Sequence, residues 1–219
     1  MGRLILDIST SLDGFVAGPN PTLDEPLGEG GELLHEWAVA TRAFRERHGL
    51  AGGEANTDSE LAAATLDRAG ATVMGRRMFS GGEGRWEDDP NADGWWGDDP
   101  PFHHRVFVLT HHRREPLVKQ GGTTFTFVTD GTEAALAQAR AAAGDKDVAL
   151  GGGAHAAQQY LAAGLVDELR VHVVPVLLGD GVRLFAGAIP GAPVGLECTS
   201  VIASPTGTTH LAYRAAAAR

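Results

Sequence analysis

The sequence predicts an α/β fold, a sheet whose strands alternate with helices along the chain. Three observations carry that expectation. Strand-like and helix-like patterns alternate from one end to the other. Several strands run directly into glycine-rich or basic turns that open helices. The chain then closes on two β-rich runs, 195–203 and 208–215.

Taken in order, residues 3–8 read as a strand and 9–26 as a loop rich in Gly and Pro. Residues 32–48 have helical spacing, with Leu33, Leu34, Trp37, Ala40 and Phe44 on one face and Gly49 as the stop. A second helix is predicted over 58–69, then a short buried strand over 71–74 and a helix over 76–80 following Gly75. Residues 105–110 and 123–129 are β-rich. A helix follows over 132–143, a strand over 147–150, a helix over 155–163 closed by Gly164, and a long alternating strand over 168–178. No repeat or linker divides the chain, so one domain over 1–219 is expected. Residues 81–101 stand apart as an insertion loop carrying Trp86, Trp95 and Trp96 among Asp, Gly and Pro. Indole rings are too apolar to be left in water, which predicts a loop that covers something or buries at a subunit contact.

Composition narrows the function. With 43% hydrophobic and 21% charged residues, the chain is ordinary globular protein. Its formal charge of -10 argues against nucleic-acid or anionic-membrane partners, which need a positive surface. The single cysteine, Cys198, permits no internal disulfide or thiolate metal cluster, and reads as a small buried residue. No apolar run reaches membrane-spanning length and the opening residues do not read as a signal peptide. Gly2 fails as a myristoylation site because Leu6 stands where Ser or Thr is needed. A cytoplasmic protein is expected.

The chemistry gathers at three strand ends. Gly75 lies between a strand and a helix, so backbone N–H groups can approach a phosphate, with Arg76 and Arg77 as forked donors beside it. The run Thr110, His111, His112, Arg113 and Arg114 follows a second strand, and Gly151, Gly152 and Gly153 follow a third. Four arginines and two histidines at two turns of an acidic chain suit an anionic cofactor. Solvated helix starts and close packing are the alternative explanations. Gly151, Gly153 and Ala156 loosely fill a dinucleotide fingerprint, but it comes late in the chain and its acid, Asp167 or Glu168, comes too soon. The acids at 87–89 and 98–99 read as solvated charges. No metal-ligand spacing and no nucleophile elbow occurs.

These residues resemble the dihydrofolate reductase-like superfamily, and within it the bacterial RibD C-terminal domain type of riboflavin-biosynthesis reductases. The resemblance rests on SLDGFVA at 11–17, VMGRRMF at 73–79, VFVLT at 106–110, the glycines at 151–153, GLVDEL at 164–169, PVLLGDG at 175–181 and LF at 184–185. It implies a three-layer sandwich: a mostly parallel central sheet with an antiparallel C-terminal edge and helices on both faces. It also implies NADPH across the carboxyl ends of the strands, with Ser9, Val16 and Ala17 beside the nicotinamide and Gly75, Arg76 and Arg77 near the adenosine phosphates. Thr110 and His111 would lie near the 2′-phosphate, and Gly151, Gly152, Gly153, Ala154 and His155 at the pyrophosphate. A homodimer is implied as well.

The expected activity is NADPH-dependent reduction of a small heterocycle of pterin or pyrimidine kind. Dihydrofolate reductases place a carboxylate on the first helix. Here that helix offers Glu32, His35 and Glu36, so Glu36 or His35 is the candidate acid, with Asp13 as a loop residue near the nicotinamide. Helical spacing places Glu32 and Glu36 on one face, with Trp37 about 100° away from Glu36. The rival readings are a catalytically inactive ligand-binding relative and a flavin or deazaflavin reductase.

Overall fold

The structure, a computed structural model, describes residues 2–186 and 194–215. In chain order its elements are β1 (Leu4–Ser11), β2 (Phe15–Ala17), α1 (Glu36–Val39), α2 (Arg42–Arg47), α3 (Thr57–Arg68), β3 (Ala69–Gly75) and α4 (Arg76–Ser80). There follow β4 (Arg105–Leu109), β5 (Leu117–Val118), β6 (Thr124–Val128), α5 (Thr132–Ala143), β7 (Asp147–Leu150) and α6 (Ala154–Ala162). The chain ends with β8 (Glu168–Val174), β9 (Val182–Arg183), β10 (Leu196–Ala203) and β11 (Thr209–Ala215). Nine strands form one sheet in the order β10-β11-β8-β1-β7-β3-β4-β6-β5, and β2 pairs with β9 apart from it. The six strands from β8 to β6 are parallel. The β10–β11–β8 side is antiparallel, as expected, and β5 adds a short antiparallel strand at the far edge.

Strand alternation distributes the apolar residues to two faces. On one face Leu4, Leu6, Val73, Phe107, Val148 and Leu150 meet Ala135, Leu136 and Ala139 of α5 and Ala157 and Tyr160 of α6. The helix α5 starts after Gly131 and stops at Gly144, both at positive φ, which glycine adopts without steric cost. On the other face Met74, Val106, Val108 and Phe125 pack on Phe79, Phe102, Trp86 and Trp96. The Trp-rich loop thus covers the sheet where a helix would otherwise lie. Trp86 donates its indole N–H to the His112 carbonyl at 2.9 Å, and Trp96 packs edge-on to Phe102.

The first helical region departs from its prediction. A 3-10 turn over Gly31–Leu34 precedes α1, and α2 starts anew after Thr41. Thr41 is extended, caps α2 by accepting from the Phe44 N–H at 3.2 Å, and bridges Glu54. Only Leu34 and Trp37 of the predicted apolar face are buried, while Leu33 and Ala40 are exposed. The strand predicted over 168–178 ends at Val174, one residue before Pro175. Conversely, β1 runs on through Ser9 to Ser11 because β8 pairs with it over that length. Cys198 lies exposed on the edge strand β10, correcting its assignment to the core. Asp89, taken as a solvated acid, is buried in an ion pair with Arg76.

Candidate functional site

Strand order places the site. From β3 the chain moves through β4 to β6 on one side, then returns to insert β7 between β3 and β1 before continuing to β8 on the other side. The segments leaving β3 and β7 therefore diverge, and ligands of open α/β sheets settle outside the strand ends at such a reversal. Here the glycines meet. Gly75 donates its N–H to the Gly152 carbonyl at 2.7 Å, and Gly151 donates to Val73 at 2.9 Å. A side chain at Gly75 would press on Ala156 at 3.3 Å, whereas one at Gly153 would stand in open space. Gly153 precedes α6, whose first N–H groups receive no side-chain cap, leaving donors and the positive end of the helix for an anion. Ala154 opens α6 and His155 is exposed beside it.

The expected cations are arranged differently. Arg76 is buried and turns away from the glycines, pairing with Asp89, donating to Ser80 at 2.9 Å and lying against the Trp86 ring. Burial lowers its pKa, against the pull of Asp89. Arg77 pairs with Glu83 at 2.5 Å, and Arg114 pairs with Asp93. Among the described residues, His111 and Arg113 have no ion pair, and both are exposed beyond β4. Thr110 is buried there and accepts the His112 N–H at 3.1 Å.

Of the candidate acids, Glu36 is exposed, as is Glu32. The 3-10 turn and short α1 rotate both away from the sheet, so no carboxylate of this segment reaches the interior. His35 is half-buried, and burial, with His172 beside it, holds its pKa below the usual value. Asp13 serves as a latch. It accepts from the Ser11 hydroxyl at 2.6 Å and from the Leu178 and Gly179 N–H groups at 3.2 and 2.8 Å. The Ser11 hydrogen bond foremost lowers its pKa, so the carboxylate remains ionised. This joins the β1–β2 turn to the 175–181 loop. Val16 is buried and Ala17 half-buried in β2, and the Ser9 hydroxyl accepts the Trp37 indole N–H at 2.9 Å.

Beside Ser9 lies a cluster that the motif reading missed. Asp7 Oδ1 is 2.7 Å from His172 Nε2, and His172 Nδ1 is 2.6 Å from His210 Nδ1. His210 Nε2 is 2.9 Å from Asp58 Oδ1. Parallel pairing sets Ser9 opposite His172, and antiparallel pairing sets His210 opposite it on the other side. Trp37 packs against both imidazoles, tilted to His172 and edge-on to His210, with centroids at 4.5 and 4.8 Å. Burial lowers the His210 pKa against the pull of Asp58. A signal was present in the sequence: Asp7 lies between Leu6 and Ile8, and His172 between Val171 and Val173, where burial demands partners.

This sheet order, with glycines at its reversal, defines a dihydrofolate reductase-like α/β domain. The RibD C-terminal domain family matches residues 3–210, and the chain belongs to that family. The uncharacterized protein YyaP of Bacillus subtilis (strain 168) is 23% identical over 194 residues, covering 84% of this chain and 80% of its own. Among solved structures, a putative riboflavin biosynthesis protein from Shewanella sp. PV-4 superposes with a TM-score of 0.61 at 22% identity, over 98% of this chain and 99% of that one. A diaminohydroxyphosphoribosylaminopyrimidine deaminase/5-amino-6-(5-phosphoribosylamino)uracil reductase from Thermotoga maritima gives 0.55 at 14% identity, over 98% of this chain and 57% of that one.

Proposed function

We propose that this chain is an NADPH-dependent reductase of a small heterocyclic substrate, pterin- or aminopyrimidine-like, acting in the cytoplasm as a homodimer. The observation that carries the reading is the meeting of Gly75 with Gly151–Gly153 at the sheet's reversal, beside the uncapped start of α6. These residues fit a dinucleotide: the glycines leave room for a pyrophosphate, and the N–H groups of Ala154 and His155 are oriented to donate to it. Thr110, His111 and Arg113 offer a hydroxyl, an imidazole and a guanidinium to a 2′-phosphate. Bound there, NADPH supplies a hydride. The protein's part is to hold the heterocycle near Ser9, Val16 and Ala17, to exclude water and to provide a proton.

Titration with NADPH, followed by quenching of tryptophan fluorescence and by calorimetry, tests the reading. Saturable binding below millimolar concentration is expected, and its absence by both methods rejects it. A catalytically silent ligand-binding relative is the second reading, favoured by the exposure of Glu32 and Glu36. It predicts NADPH binding with no oxidation by any cyclic imine. A flavin-like absorbance in the purified protein would instead support a flavin reductase.

A further inference from the structure

Reduction of a C=N bond takes up a hydride at carbon and a proton at nitrogen, as the π bond breaks. No carboxylate of the first helical segment is placed to give that proton. We propose that Asp58, His210, His172 and Asp7 form a proton relay, which stores one imidazolium proton between the two histidines and exchanges it at Asp7. Its catalytic role rests on the reductase reading, whereas the stored proton rests on geometry alone.

The proton count follows from the contacts. Each of the three links, Asp7–His172, His172–His210 and His210–Asp58, requires one proton between its atoms. Three protons shared by two carboxylates and two imidazoles amount to two ionised carboxylates, one neutral ring and one imidazolium. The ends of the chain favour that distribution. Asp58 Oδ2 accepts the Ser204 and Thr206 hydroxyls at 2.7 and 3.2 Å, so both of its oxygens are used as acceptors. Arg170 Nη1 stands 4.0 Å from Asp7 Oδ2 at the other end, a cation beside that carboxylate. The surplus proton is therefore left to the rings, whose Nδ1 atoms are 2.6 Å apart, with the Trp37 ring packed against both.

The groups facing the pair are Asp7 from β1, Arg170 from β8, Asp58 from α3 and His35 ahead of α1. Burial gives the relay a direction. Asp58, His210 and His172 are 0%, 3% and 4% exposed, while the Asp7 side chain is 23% exposed. A proton drawn from the rings, which flank Ser9, is restored from solvent through Asp7.

The test is NMR of the full chain labelled with ¹⁵N-histidine, without ligand. One imidazole N–H proton, far downfield of ordinary imidazole protons and coupled to a histidine Nδ1, is expected. Asp7→Asn keeps an acceptor for His172 but removes the exit, so solvent exchange of this proton slows. Asp58→Asn removes the charge at the buried end, and the resonance is lost. A wild-type spectrum without the downfield proton, with two histidines titrating independently, overturns the proposal whether or not the variants fold. Faster exchange in Asp7→Asn also overturns it, because a merely structural contact loosens when altered. NADPH calorimetry on the same samples separates the two readings: binding without the shared proton rejects the relay alone, and the shared proton without binding rejects the reductase.

Discussion

The Arg76 guanidinium carbon lies 3.3 Å from the centroid of the Trp86 ring, while the same guanidinium pairs with the buried carboxylate of Asp89. Burial opposes the Asp89 charge, but the Ser80 hydroxyl and Arg76 outweigh it and hold the pKa below the usual carboxylate range. The pair is thus the internal anchor of the Trp-rich loop. Arg76→Met removes one partner and leaves a buried charge, which is expected to cost about 3–5 kcal/mol. Urea unfolding checks the loss. A destabilisation below about 1 kcal/mol would mean the loop is held chiefly by its aromatic contacts.

Gly153 offers a way to separate binding from folding. Its φ of -65° suits any residue, and a Cβ there meets no protein atom within 4 Å. Gly153→Ala should therefore change stability by about 1 kcal/mol or less, from the poorer helix cap. The same methyl group projects into the space in front of the α6 donors, so NADPH affinity should fall while the melting temperature barely moves. Unchanged affinity by calorimetry would place the pyrophosphate elsewhere.

The third prediction concerns acid stability. His104 is held at a pKa of about 4, chiefly by burial, and its Nε2 lies 2.7 Å from the Thr72 hydroxyl. The neutral ring accepts that O–H, and protonation removes the acceptor. Because the folded pKa is below the unfolded value of about 6.5, the unfolded chain binds the proton first. Stability is full above about pH 6.5 and falls as pH drops towards 4. His104→Gln, which can still accept from Thr72, should flatten this limb of a stability–pH curve measured by urea unfolding. An unchanged slope would assign the acid sensitivity to other groups.

The edge strand β10 bears on the proposed homodimer. Leu196 and Val201 are 50% and 65% exposed, and Cys198 between them is exposed as well. An unpaired apolar edge of this kind calls for a partner strand or cover. Light scattering should give twice the chain mass, and Val201→Lys should reduce it to the mass of one chain. A wild-type monomer at micromolar concentration would refute the dimer.

Much of the fold was legible because it rests on local patterns. The helix α5 has alanines and a leucine at helical spacing between two glycines, and its observed bounds match the prediction. The strands β3, β4 and β7 are short apolar runs ending in glycine or threonine, and each sits where the pattern placed it. Illegible was the segment 32–48, whose apolar spacing promised one helix. Thr41 instead caps a new helix and bridges Glu54, a contact outside any local window. That break decides the exposure of Glu32 and Glu36. The strands β2, β5 and β9, of two or three residues each, carry too little pattern to be seen.

The residues by themselves determined the alternation of strand and helix, the family resemblance, and the glycine turns after β3 and β7, because each depends on neighbours within a few positions. Only the tertiary structure decided which charges are spent. Arg76 and Asp89 are 13 residues apart and Asp7 and His172 are 165 apart, and burial forces each pair together. A buried charge must find its partner wherever the fold brings one, and no spacing along the chain records that partner in advance.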